Sequence, residues 1–162
     1  MASSSAEEQE QKNKDVAYQF FEAYNRQEIE RMGQLVSGSN NNYSFHLPGM
    51  PSMDWNGHKQ LLAALINAFP DFHHKLEDVV AEGNKVAVRF TITCTHRGEF
   101  QGIPPTGKQV SIGGMDFLTI VDGKITEEWV SVDMMGWMQQ LGAIPATPTS
   151  SSATTDSSTS GP

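Results

Sequence analysis

The chain has 162 residues, a size at which one domain can bury a core without disulfide or metal support. Its 11 Lys and Arg against 19 Asp and Glu leave a formal charge of -8, which argues against a nucleic-acid or anionic-membrane partner for the chain as a whole. Cys94 is the only cysteine, so an internal disulfide is excluded and a reducing, cytoplasmic location is expected.

From Met1 to Asn13 the chain is rich in Ser, Glu and Gln, with neither the basic start nor the apolar run of a secretory signal. This segment, 1–13, and the Ser/Thr-rich run 146–162 hold too little apolar surface to offset the entropy of ordering them, and both are predicted to be disordered. The folded unit is predicted over 14–145. Within it, Val16, Ala17, Phe20, Phe21, Ala23 and Tyr24 follow helical spacing, and Ile29, Met32, Leu35 and Val36 repeat it after a break near Asn25. Tyr43 to Leu47 reads as a short strand. Leu61, Leu62, Leu65, Ile66 and Phe69 mark a third helix, which Pro70 stops.

From His73 onward the period changes to two. Val86, Val88, Phe90, Ile92, Cys94 and His96 share one strand face, and Arg89, Thr91, Thr93 and Thr95 share the other. Gly83-Asn84 and Asp122-Gly123 are two-residue hairpin signals. A tight turn at Asp122-Gly123 sets Ile120 opposite Ile125, Leu118 opposite Glu127, Asp116 opposite Trp129, Gly114 opposite Ser131 and Ile112 opposite Asp133. Opposed residues share a face. That face is apolar through Ile112, Leu118, Ile120, Ile125 and Trp129, yet it carries Asp116, Glu127 and Asp133; a bulge would instead turn Glu127 to solvent.

Each polar candidate has two readings. Asp133 stands where a final helix, Met134 to Leu141, should begin, so it is a helix N-cap or a pocket acid. Asp116 in mid-strand must be paired, hydrogen-bonded or neutral, as a site acid or as the partner of a buried donor such as the Trp129 indole. His96 and His46 are rim residues or catalytic assistants. His73 and His74 are adjacent and point to opposite faces, and no regular metal-ligand spacing is present, so no metal is expected. Met115, Met134, Met135 and Met138 with Trp137 form an adaptable apolar set, as core, dimer surface or pocket wall.

The segment Thr95 to Lys108, the hairpin Ile120 to Trp129 and the ending Asp133 to Gly142, together with Tyr24-Asn25 and His46, resemble the SnoaL-like polyketide cyclases of the nuclear transport factor 2-like superfamily. The resemblance implies an α+β fold in which a cone-shaped, curved antiparallel sheet wraps around N-terminal helices, and it implies a homodimer. It also implies closure of a polyketide ring by intramolecular aldol condensation, or related lyase or isomerase chemistry on a small apolar carbonyl compound, without a cofactor. The general acid and base would come from Asp133 or Asp116, assisted by His96 or His46. Tyr24, Asn25, His46, Phe90, Met115 and Trp129 would contact the substrate. Where the cyclases place an Asp and a His on the last two strands, this chain has Asp116 and Val130. The same scaffold also carries non-catalytic binding and dimerisation domains. A catalyst needs a cavity carboxyl of raised pKa with a second polar group in hydrogen-bond reach; a carrier needs neither.

Overall fold

Two helices, α1 (Ala2–Asn25) and α2 (Ile29–Leu35), lead the chain in the computed structural model, which describes residues 2–37 and 42–146. The segment 1–13 is thus helical from Ala2, against the expectation of disorder. Its Ala, Glu, Gln and Lys are strong helix formers. Its far end is also tied to the sheet: buried Asn13 donates through Nδ2 to the Gly83 carbonyl at 2.9 Å, and Glu10 Oε1 accepts from the Gly83 amide at 2.9 Å. The predicted tail, 146–162, lies outside the described residues from 147 on.

After α2 come β1 (Ser44–His46), α3 (Trp55–Ala68), the strands β2 (His73–Glu82), β3 (Lys85–Thr95), β4 (Gln109–Val121) and β5 (Lys124–Val132), and finally α4 (Met134–Leu141). Asp54 caps α3 by accepting from the Gly57 amide at 2.8 Å, and Phe69, just before Pro70, closes it. The sheet is open, five-stranded and curved, in the order β1-β5-β4-β3-β2. Four strands form an antiparallel meander, as the two hairpin signals require. The correction to an all-antiparallel sheet is β1, which pairs parallel to β5 because the chain reaches that edge from the helices rather than through a hairpin. Among the described residues, no helix is long and apolar enough to cross a membrane.

Alternation on β3 holds as far as Cys94: Val86, Val88, Phe90, Ile92 and Cys94 all face the core, while Thr95 at the strand's end is buried as well, bonded to Asp71. Asp122 (φ 50°) and Gly123 (φ 73°) form the predicted turn between β4 and β5, and Ile120 pairs with Ile125. The register then slips. Thr119 pairs with Glu127, Leu118 with Glu128, Phe117 with Trp129 and Asp116 with Val130, which leaves Thr126 as an extra residue on β5. A one-residue bulge moves every later side chain to the opposite face. Glu128 is thereby buried, whereas Trp129 is 52% exposed on the outer surface.

Candidate active site

The consequence of the bulge is a second inward carboxyl beside the first. Asp116 on β4 and Glu128 on β5 are both buried, and their carboxyl groups are hydrogen-bonded to each other. Two carboxyls in such contact need one proton between them. Burial, then the neighbouring charge of Glu128, pushes the Asp116 pKa well above the carboxylate range. Burial also raises Glu128, to about 7, while hydrogen bonds from Tyr43 and Asp116 hold it down. Glu128 therefore ionises first and Asp116 retains the shared proton. The absence of any donor to buried Asp116 Oδ1 among the described residues fits a neutral Asp116.

Glu128 is held from the other side by Tyr43, just ahead of β1, and by His58 on α3. The Tyr43 hydroxyl donates to Glu128 Oε2 at 2.6 Å and lies 2.7 Å from His58 Nδ1. Tyr43 has one proton to give, so the contact with His58 is closed by the imidazole's own N–H, and the network assigns the Nδ1–H tautomer. Burial lowers the His58 pKa to about 3, so the ring is neutral and its 3.9 Å approach to Glu128 Oε2 is not an ion pair. Phe45 stacks on the same ring at a centroid distance of 4.0 Å. The order of the chain is thus His58 to Tyr43 to Glu128 to Asp116, with the negative charge placed on Glu128.

Both carboxyls and His58 line a cavity of about 110 Å³. Its walls are otherwise apolar and aromatic: Phe21 and Tyr24 from α1, Leu61 and Leu65 from α3, Phe72 from the turn before β2, Phe90 and Ile92 from β3, Val130 and Val132 from β5, and Met134 and Trp137 from α4. Phe100 and Gln101 close one side from the loop between β3 and β4. Gly114 makes room for the Phe90 wall, since a Cβ there would lie 2.5 Å from Phe90 Cε2. Burial, followed by the charges of Glu128 and Asp116, pushes the Tyr24 hydroxyl far up, so Tyr24 stays protonated.

Of the residues expected at the site, Asp116, Tyr24 and Phe90 line this cavity. Asp133 does not: it is exposed and caps α4, accepting from the Gly136 amide at 2.8 Å. Buried His96 lies behind the wall, its Nδ1 accepting from the Thr106 amide at 3.2 Å and its ring against Phe69. Asn25 grips the backbone of His74, donating to its carbonyl at 2.8 Å and accepting from its amide at 2.7 Å. His46 and Trp129 stack on each other at 3.9 Å on the outer side of the sheet, and Met115, 64% exposed, is on that side too. The bulge accounts for Trp129. For Met115 strand alternation suffices, because its neighbour Asp116 points inward. Glu127 stays partly exposed, accepting from Thr119 Oγ1 at 3.1 Å, as the bulge reading of the sequence allowed.

Sequence reasoning missed Glu128, Tyr43 and His58. A signal for Glu128 was present in the parity of β5: Ile125 on one set of alternate positions and Val130 and Val132 on the other are both apolar, which a strand with one core face allows only across a bulge. Tyr43 and His58 have no comparable local signature.

A family model for SnoaL-like polyketide cyclases matches residues 14–141. AclR, a proposed hydroxylase from Streptomyces galilaeus, has a similar structure, with a TM-score of 0.77 and 29% identity over 86% of each chain. IdmH, a proposed polyketide cyclase from Streptomyces antibioticus, gives a TM-score of 0.72 at 28% identity, covering 80% of this chain and 98% of its own. TsrD from Streptomyces laurentii gives 0.71 at 26% identity, covering 82% of this chain and 96% of its own. No curated protein matches the chain. The architecture is the nuclear transport factor 2-like α+β fold shared by such neighbours.

Proposed function

The chain belongs to the SnoaL-like polyketide cyclase family, and we propose that it is a cofactor-independent cyclase, or a related lyase or isomerase, using the Asp116–Glu128 pair on a small apolar carbonyl substrate. One observation carries the reading: a hydrogen-bonded carboxyl pair, able to hold one proton and one negative charge near neutral pH, faces an apolar cavity. It meets the requirement of a raised cavity carboxyl with a second polar group in reach.

In this reading the singly charged pair takes a proton from the carbon beside a substrate carbonyl. The C–H bond breaks, its electron pair passes into the enolate, and the pair becomes neutral. Tyr24 donates a hydrogen bond to the enolate oxygen. The enolate carbon then adds to a second carbonyl carbon of the same molecule. A C–C bond forms, and the resulting alkoxide takes the proton back from the pair, which regains its charge. Tyr43, backed by His58, positions Glu128. The aromatic walls hold the chain folded for closure, where orientation contributes up to about 7 to 11 kcal/mol. A homodimer is part of the proposal, with the outer sheet face around Met115, Phe117 and Trp129 as its surface.

The test is exchange of ketone α-protons in D2O, followed by proton NMR with β-tetralone as the probe. The wild type should accelerate loss of the α-proton signals, and Asp116→Asn and Glu128→Gln should each slow it by about a hundredfold or more. Binding of the ketone without exchange would sink the catalytic reading and leave a non-catalytic binding domain.

A further inference from the structure

The cavity holds about 110 Å³. An apolar cavity of about 150 Å³ takes one benzene ring, and sites for drug-sized ligands run from about 300 Å³ upward. Its two ends differ in exposure. Asp116, level with Val88 on β3, and Glu128 are buried, whereas Met50 is 44% exposed, Gln101 is exposed and Met134 at the start of α4 is partly so. Gln101 belongs to the loop between β3 and β4, and β3 runs on from Val88 to Thr95 before that loop begins. The mouth of the cavity therefore lies at the end away from Asp116.

Phe100 lines the cavity beside Gln101. Its half-buried ring stacks on Trp137, with centroids 5.6 Å apart and planes 14° from parallel, and meets Phe69 edge-on at 5.1 Å. The loop that carries it is pinned at both ends and in the middle. The Arg97 and Gly98 amides donate to the Ala68 carbonyl at the end of α3, at 2.9 and 3.0 Å. Gly98 packs so closely there that a Cβ would lie 2.4 Å from the Asn67 carbonyl oxygen. Phe100 and Ile103 exchange backbone bonds of 3.0 and 2.9 Å across a tight turn, in which Gln101 (φ 49°) and Gly102 (φ 80°) both take the left-handed conformation. Glu99 Oε1 accepts from the Gly102 amide at 3.1 Å. At the far end the Gly107 amide donates to the His96 carbonyl at 2.8 Å, and the His96 amide to the Lys108 carbonyl at 2.9 Å. Phe100 is thus a fixed wall rather than the tip of a free loop.

We propose that Phe100 is the specificity-determining residue of this site: its fixed ring limits the cavity to a ligand of one ring, so the substrate is a monocyclic or short-chain ketone rather than a polycyclic one. The carbonyl end of the ligand reaches inward to the carboxyl pair, and its far end stops at Phe100. A second aromatic ring has to push Phe100 off Trp137 or pull the loop from the end of α3. Overpacking of that kind weakens binding by about tenfold. The inference rests on the cavity being a ligand site, as proposed above, but not on turnover.

The test compares phenylacetone with 2-naphthylacetone, which adds one fused ring and keeps the same ketone. By apolar area alone the larger ketone would bind more tightly. Isothermal titration should instead give about tenfold tighter binding of phenylacetone to the wild type. In Phe100→Ala the order should reverse, with 2-naphthylacetone the tighter ligand. Phe100→Leu keeps an apolar side chain on the loop and guards against misfolding of the alanine variant; there the preference for phenylacetone should fall to about threefold or less. Wild-type affinity for 2-naphthylacetone equal to or above that for phenylacetone overturns the proposal, as does a preference that survives in the folded variants. If deuterium exchange is catalysed all the same, the catalytic reading stands without the size limit. No binding of either ketone overturns both. Failure of the exchange assay with the size preference intact removes the catalytic reading alone.

Discussion

Replacing Glu128 by Gln should reveal the buried carboxyl pair as a pH-dependent cost to stability. Below about pH 4.5 the Glu128 carboxyl is protonated in folded and unfolded chains alike, and it contributes nothing unfavourable. As the pH rises, the unfolded chain releases its proton first, while the folded carboxyl, its pKa raised from 4.5 to about 7, holds on. Stability present at low pH is therefore lost between about pH 4.5 and 7 and stays lost above. At roughly 1.4 kcal/mol per pH unit the loss comes to about 3 kcal/mol. Asp116 acts in the same direction, and part of its shift comes from the Glu128 charge that the substitution removes. His58 and His74, both held neutral with pKa values near 3, act oppositely, because below about pH 6.5 the unfolded chain takes up protons that the fold refuses. The total pH dependence thus mixes opposed terms, and the difference between variant and wild type isolates the pair. Urea unfolding at several pH values between 4.5 and 7.5 measures it. The stability of Glu128→Gln relative to wild type should rise by about 3 kcal/mol across that range. A difference that is flat with pH, or that falls, would refute the raised carboxyl and with it the shared proton.

The cavity wall and the outer sheet face give further tests. A Cβ on Gly114 would meet Phe90 Cε2 at 2.5 Å and the Ser131 carbonyl oxygen at 3.0 Å, whereas one on Gly113 would meet nothing within 4 Å. Gly114→Ala should destabilise by about 1 to 3 kcal/mol, and Gly113→Ala should stay within about 0.5, both read by urea unfolding. Equal effects would show that Phe90 is not held against the Gly114 backbone. If the outer face carries the homodimer, sedimentation should show a dimer at micromolar concentration and Trp129→Glu should yield monomer. A wild-type monomer would remove the dimer from the proposal.

How far the site was readable depends on the distance over which each residue's placement is decided. The inward face of β3 follows from alternation alone, and Asp116 stands out because period two places an ionisable group among Leu118 and Ile120 on the same face. The cap role of Asp133 is likewise local, set by a strand end meeting a helix start. Glu128 is one step harder. Its burial depends on the single extra residue at Thr126, and a strict two-residue pairing count from the Asp122-Gly123 turn puts Trp129 inside in its place. The parity change between Ile125 and Val130 could have exposed the slip. Tyr43 and His58 belong to another class, because β1 joins the sheet in parallel beside β5 and α3 packs behind it. The 2.6 Å and 2.7 Å bonds thus join the residue ahead of β1 to one on α3 and one on β5. The helical start of α1 shows a further kind of loss. Composition registers how little 1–13 can bury, but not that Asn13 and Glu10 reach the Gly83 turn. What a local pattern supplied was one carboxyl with two interpretations; what folding added was the partner carboxyl and the Tyr43–His58 arm that decides which of the two bears the charge. The chemistry proposed for the cavity therefore depends on the Thr126 bulge. Restoring strict two-residue pairing would turn Glu128 outward, leaving Asp116 a lone buried acid with no base beside it.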